Sequence, residues 1–307
     1  MSNTLFSSVA IVIPARWGST RFPGKLLHPL GGRPLIQHVW ERCSLARSIS
    51  RIIIAVDDER LATVAKEFGA EVVMTSLKHQ SGTDRVAEVA DLLKKQSPAS
   101  YPSHFINVQG DEPLIEPELI DRLAQAMLED PSIEMITAAT PFEDISHQEI
   151  VQSATQQTME CNQTTAAQSD HFIQVFPPQE GKSERVSHRN DPNIVKVVVG
   201  SLGNALYFSR SALPYHRDSH DPESAVTPLL HLGIYGFQYE TLKKFVQFSP
   251  SPLERCEKLE QLRALEYGIP IRVLITNHRA LGVDTPEDAR RIEGVYFNHH
   301  CGAIVTS

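Results

Sequence analysis

The sequence predicts an α/β fold: a mostly parallel sheet covered by helices on both faces. Two observations carry that expectation. Short apolar runs alternate with amphipathic stretches through the first 145 residues, the pattern of strands joined by crossover helices. Helix start and stop signals also fall between those runs, where such connections require them.

Val9–Pro14 reads as the first strand, and Pro34 suits the first position of a helix over 34–46, where its missing N–H is not needed. Arg51–Val56 reads as a strand, Glu59–Phe68 as a helix stopped by Gly69, and Glu71–Thr75 as a strand. In Thr83–Lys95 a helix places Val86, Val89, Ala90 and Leu93 on one face. A strand at Phe105–Val108, a helix over Pro117–Glu129 and a strand at Glu134–Thr140 follow. In parallel sheets ligands gather at the carboxyl ends of the strands. The loops after Pro14, Thr75 and Val108 are therefore expected on one edge.

The alternation breaks over residues 148–188, which are rich in Gln, Ser and Thr. This stretch reads as a flexible surface insertion, with only HFIQVF strand-like. Strands resume at Ile194–Val199, Ala205–Phe208 and Gly233–Gln238. One helix is predicted over Leu253–Tyr267, then a strand at Ile271–Thr276, a helix opened by Thr285-Pro286-Glu287-Asp288, and a frayed tail over 297–307. The expectation is a single domain over 1–307.

Composition narrows the function. The 307 residues are 41% hydrophobic with a formal net charge of -8. That balance argues against a nucleic-acid partner, which calls for a basic face. Any phosphate chemistry must rest on a few placed cations. The four cysteines show no CxxC or zinc-site spacing, so reduced thiols in a cytoplasmic protein are expected. No stretch reads as a signal peptide or a membrane span.

The first strand runs into PARWGSTRFPGKLL, a Gly- and Pro-punctuated loop carrying Arg16, Arg21 and Lys25. It is not a Walker A loop: Gly18 and Gly24 enclose five residues rather than four, and Leu26 stands where a Ser or Thr should bind magnesium. There is no GxGxxG either. What remains is a loop in which Gly18 lets backbone approach an anion and the cations supply charge.

That loop resembles the signature of the nucleotidyltransferases that activate 3-deoxy-manno-octulosonate (Kdo), the Kdo cytidylyltransferases. HQSGTDR (79–85), NVQGDEP (107–113), ALYFSR (205–210), HLGIYGF (231–237), PSPLE with LEQLR (250–263) and GVDTPED (282–288) resemble that family's other blocks in the same order, over residues 8–293. The 148–188 stretch departs from shorter members. The resemblance implies a Rossmann-like sheet of the nucleotide-diphospho-sugar transferase type with a smaller antiparallel dimerisation part. It also implies a homodimer and transfer of CMP from CTP to Kdo for lipopolysaccharide biosynthesis.

For the residues, the resemblance implies Arg16, Arg21 and Lys25 on the triphosphate, with Asp111 and Asp284 as Mg2+ ligands. Pro14, Ala15, Gln80, Ser81, Gly82 and Gln109 would face base and ribose; Arg85, Arg210, His231, Tyr235, Glu260 and Gln261 would face the sugar. Several also have a plainer reading. Asp111 suits a turn, Asp284 or Ser81 a helix cap, and His231 an ordinary strand position. The polar stripe of Glu257, Glu260 and Gln261 suits a solvated helix face. Arg210 is the stronger independent candidate for a carboxylate clamp. A related acidic sugar such as 8-amino-Kdo, or a non-catalytic nucleotide-binding regulator, stands as the alternative.

Overall fold

A computed structural model describes residues 8–18, 22–141, 188–215, 226–278 and 281–296. Arg21, the 148–187 part of the insertion with its HFIQVF run, and the 297–307 tail lie outside the described residues.

The central sheet begins with β1 (Val9–Ala15), which pairs in parallel with β4 (Arg51–Val56) on one side and β6 (His104–Asn107) on the other. Beyond β4 lies the parallel edge strand β5 (Glu71–Met74). Two short strands, β2 (Pro29–Leu30) and β3 (Arg33–Pro34), form a separate hairpin. Past β6 come β10 (Leu229–Gln238), β7 (Met135–Pro141) and β11 (Ile271–Ile275). β10 runs antiparallel to both its neighbours, whereas β7 and β11 are parallel. β8 (Lys196–Val199) and β9 (Ala205–Ser209) form an antiparallel arm on β10. The mostly parallel sheet with a smaller antiparallel part is thus as expected.

Strand alternation creates two cores. On β1, Val9, Ile11, Ile13 and Ala15 face one cluster, while Ala10 and Val12 face the other. The first cluster is closed by α1 (Leu35–Ser44), α2 (Glu59–Glu67), α4 (Pro117–Glu129) and α8 (Pro286–Tyr296). The second is closed by α3 (Gly82–Gln96) and, further along, by α5 (Tyr239–Gln247). Both faces are covered, which is why the strands lack an alternating polar side.

Three expectations need correction. Pro34 is not the first helical residue: it pairs with Pro29 across the β2–β3 hairpin and precedes a helix that begins at Leu35. The helix over Tyr239–Gln247 was not expected from the sequence pattern. The single helix over 253–267 is two, α6 (Pro252–Glu257) and α7 (Gln261–Glu266). Lys258 breaks it by adopting a left-handed φ of 55°. The turn is held because Arg263 reaches back to Glu254 through two bonds, at 2.8 and 2.5 Å. The polar stripe is consequently not a solvated face. Gln261 is buried, and Glu257 faces β9, accepting from Ser209 Oγ at 2.7 Å and the Arg210 N–H at 2.8 Å.

Strand order reverses between β1 and β6. The chain runs outward from β1 through β4 to β5, and α3 then carries it back across to β6. This switch point leaves a crevice at the carboxyl ends of the strands.

Candidate active site

A cavity of about 380 Å³ occupies that crevice. Its walls come from four places: Pro14 and Arg16 leaving β1, the turn carrying Lys25, the His79–Gly82 entry to α3, and Gln109–Asp111 after β6. Arg85 and Asp284 complete it. Of the expected nucleotide group, Pro14, Arg16, Lys25, Gln80, Ser81, Gly82 and Gln109 line the cavity, while Ala15 is fully buried within β1.

Local chemistry explains each placement. Gly24 has a φ of 69° and opens the 3₁₀ turn Lys25–Leu27, turning the Lys25 side chain toward the crevice. Gly110 sits where a Cβ would lie 3.0 Å from the Pro14 carbonyl, so a side chain there would crowd the approach of the β6 exit to β1. Ser81 is indeed the cap of α3: its hydroxyl accepts from the Asp84 N–H, and Asp84 answers in a capping box. It lines the cavity as well, so the two readings coexist.

Asp284 is different. The cap before α8 is Thr285, whose hydroxyl accepts from the Asp288 N–H while the Asp288 carboxylate accepts from the Thr285 N–H. The Asp284 carboxylate turns instead to Lys25. Lys25 Nζ lies 2.6 Å from Asp111 Oδ2 and 3.3 Å from Asp284 Oδ1, joining residues 173 positions apart in sequence. The Val283 N–H bonds the Asp111 carbonyl at 2.9 Å and fixes the two loops together.

Two carboxylates within reach of one ammonium make a hard-oxygen donor set of the kind Mg2+ uses, with its remaining positions left to water and phosphate. Among the described residues no group of three or more His, Cys, Asp or Glu gathers as an all-protein metal cage. Two carboxylates alone would leave most positions of such an ion to water or phosphate. Beside Asp111, burial and then the Asp111 charge push Glu112 up to about 8.

Of the expected sugar group, only Arg85 lines the cavity. Glu260 Oε2 accepts from Thr83 Oγ1 at 2.6 Å, which ties it to the first turn of α3. Glu260 Oε1 is buried with no hydrogen-bond partner, and burial raises this carboxyl above its ordinary range. On β10 the His231 and Tyr235 rings meet at a 44° tilt with centroids 5.3 Å apart. His231 Nε2 lies 3.0 Å from Thr137 Oγ1. Arg210 donates to the carbonyls of Glu257 at 2.7 Å, Pro192 at 2.9 Å and Lys258 at 3.4 Å.

Sequence pattern alone missed several residues. His79 lines the cavity with Nε2 2.5 Å from Glu88 Oε2, and its signal lay in the HQSGTDR block itself. Lys196 is fully buried and satisfies its three donors on the carbonyls of Asp191, Ile194 and Arg210. A lone lysine inside the apolar run NIVKVVV was the available signal.

His231 also gives a pH prediction. Burial pushes its pKa down to about 3, so the folded ring stays neutral where the unfolded ring, near 6.5, takes a proton. Between those values the unfolded state binds more protons, so stability falls as pH falls from 6.5 toward 3. About 2 kcal/mol of the loss between pH 6.5 and 4 is expected from His231, discounted because the residue is half-buried. Denaturant melts of His231→Asn across that range should show a correspondingly flatter dependence.

A family model described as Cytidylyltransferase matches residues 10–273. The 3-deoxy-manno-octulosonate cytidylyltransferase of Syntrophotalea carbinolica is 41% identical over 291 residues, covering 93% of this chain and 97% of its own. The chain belongs to the 3-deoxy-manno-octulosonate cytidylyltransferase family. The member from Solibacter usitatus is 42% identical over 286 residues, covering 93% of each chain. A solved CMP:2-keto-3-deoxy-manno-octonic acid synthetase complexed with CTP superposes with a TM-score of 0.74 at 33% identity. It covers 95% of this chain and 100% of that one. The cavity is lined by Arg16, Lys25 and Arg85 together with Asp111 and Asp284. Among the described residues, no helix is long and apolar enough to cross a membrane.

Proposed function

We propose that the chain transfers CMP from CTP to the anomeric hydroxyl of Kdo, for lipopolysaccharide biosynthesis. The sugar oxygen bonds to the α-phosphorus as its hydroxyl proton is released to solvent, the bond from that phosphorus to the oxygen of the β-phosphate breaks, and pyrophosphate leaves. The observation that carries the reading is the Lys25–Asp111–Asp284 cluster at the mouth of a switch-point cavity, in a chain of the cytidylyltransferase family.

Arg16, Arg21 and Lys25 bind the β- and γ-phosphates and steady the charge of the departing pyrophosphate. Gln80, Ser81, Gly82, Gln109 and the Pro14-Ala15 backbone read the base and ribose, since a small pyrimidine suits a few backbone and amide groups. Arg85, Arg210, His231, Tyr235, Glu260 and Gln261 orient the acidic sugar. Glu260 Oε1 supports this: it is buried without a hydrogen bond, 3.9 Å from Arg263 Nη2, and can still accept from a sugar hydroxyl. Asp111 and Asp284 would hold Mg2+. When bound, that ion neutralises triphosphate charge and lowers the pKa of a coordinated hydroxyl. His231, held neutral down to about 3, does not supply a base titrating near neutrality.

The protein acts in the cytoplasm as a homodimer, in this reading, with the β8–β9 arm as the contact. Leu202 and Leu206 on that arm are 80% and 63% exposed, which a partner would cover. Purified protein given CTP, Mg2+ and Kdo is expected to release pyrophosphate. Silence with both Kdo and its 8-amino analogue would defeat the enzyme reading.

A further inference from the structure

The carboxylate that ties down the phosphate loop belongs to none of the motif blocks. Asp57 follows β4, with its side chain 10% exposed. Its Oδ1 accepts the backbone N–H of Trp17 at 2.8 Å. Its Oδ2 accepts from Arg85 Nη2 at 2.7 Å. Arg85, 5% exposed, is anchored in turn by Nη1 to Thr75 Oγ1 at 2.8 Å and the Ser76 carbonyl at 3.2 Å. One carboxylate and one guanidinium thus link the exits of β1, β4 and β5 to the first turns of α3.

Trp17 is the point of leverage. Its amide lies between Arg16 and Gly18, inside the loop. Its ring reaches the Gly24 turn, where a Cβ would meet Trp17 Cη2 at 3.5 Å. Over the ring lies the Arg60 guanidinium, 3.5 Å from the centroid. Fixing Trp17 therefore constrains both Arg16, its neighbour, and Lys25, which leaves the Gly24 turn. A buried ion pair serving the fold alone would be complete with Arg85. The second oxygen, spent on a loop amide, is what connects this pair to the phosphate loop.

We propose that Asp57 is a positioning residue for the triphosphate loop, acting through Trp17 to set Arg16 and Lys25. The inference rests on the reading that those cations meet the β- and γ-phosphates. It separates ligands that have those phosphates from ligands that do not. Asp57→Asn keeps the size of the side chain, but its single oxygen cannot serve both donors. Binding of CTP in the presence of Mg2+ is expected to weaken about tenfold, the scale of one charge-assisted hydrogen bond. Binding of CMP should stay within about twofold of the unaltered protein, because CMP does not reach that part of the loop.

A spectroscopic readout accompanies the affinities. Trp17 and Trp40 are the only two tryptophans of the sequence. In a Trp40→Phe background, Asp57→Asn is expected to shift Trp17 emission and make it easier to quench. If Asp57→Asn fails to fold, Trp17→Phe keeps the amide bond and shortens the ring that braces Gly24; it too should lose CTP affinity and retain CMP. Unchanged CTP binding in the folded variants would overturn the proposal, as would equal losses for CTP and CMP. If the unaltered protein neither binds CTP nor releases pyrophosphate, the reading beneath the proposal fails instead.

Discussion

Asp111→Asn is expected to cut pyrophosphate release about a thousandfold while the protein stays folded. Asp111 sits on the loop after β6, its backbone carbonyl bonded to Val283 N–H and its carboxylate 2.6 Å from Lys25. The asparagine would keep the backbone tie and the side-chain size. It would lose one of two negative oxygens that can hold Mg2+ against a triphosphate, and neutral amides hold that ion far less well. Losing a single electrostatic stabiliser in a closed site costs about 10²- to 10³-fold, and losing the anchor of an ion that polarises the reacting phosphate belongs at the upper end. Asp284→Asn should cost less, about a hundredfold, since its side chain is 54% exposed against 30% for Asp111. Activity measured against Mg2+ concentration decides the matter. A variant whose loss is independent of Mg2+, or a loss under tenfold at Asp111, would remove the metal role assigned to this carboxylate.

Asp111 and Asp284 differ in how plainly the amino-acid sequence marks them, and the same contrast runs through the fold. Strand β1 and helix α4 are legible because burial imposes unbroken apolar runs and a 3.6-residue period. Lys25 and Asp111 are legible because each follows a recognisable strand within a block that resembles the family's, although Asp111 on its own also suits a turn. Lys258 is not, since neither glycine nor proline marks the break; the left-handed turn is held by Arg263 reaching back to Glu254. The place of β10, antiparallel between two strands that run with β1, is also illegible, because strand direction is set by packing distant in sequence. Asp57 stays hidden for a local reason. It precedes Asp58, the true cap of α2, and the pair reads as ordinary capping chemistry. Its partners are Trp17, 40 residues away, and Arg85, 28 residues away. Conversely, Asp284 has the sequence context of a cap, yet Thr285 and Asp288 form the cap without it.

Lys25→Met should do two things that usually do not go together: weaken catalysis and tighten Mg2+. Without substrate, the Lys25 ammonium pairs with both Asp111 and Asp284 and offsets part of their charge, and its side chain is only 12% exposed. That ammonium competes with any divalent cation for the same oxygens. Methionine keeps most of the length of the side chain and removes the charge, leaving two carboxylates facing each other. Folding stability without Mg2+ is then expected to fall by about 1–2 kcal/mol, less than for a fully buried pair because both aspartates meet water. Added Mg2+ should raise the melting temperature of the variant more than that of the unaltered protein, since a cation now relieves repulsion instead of displacing a partner. Catalysis moves the other way. With a phosphate-binding cation gone, kcat/KM for CTP should drop about 10²- to 10³-fold. The opposed signs make the test sharp. If Lys25 serves only as a structural partner of Asp111, Mg2+ will restore stability and activity together. If it moves from the aspartates to the phosphates when CTP and Mg2+ arrive, stability will return and activity will not.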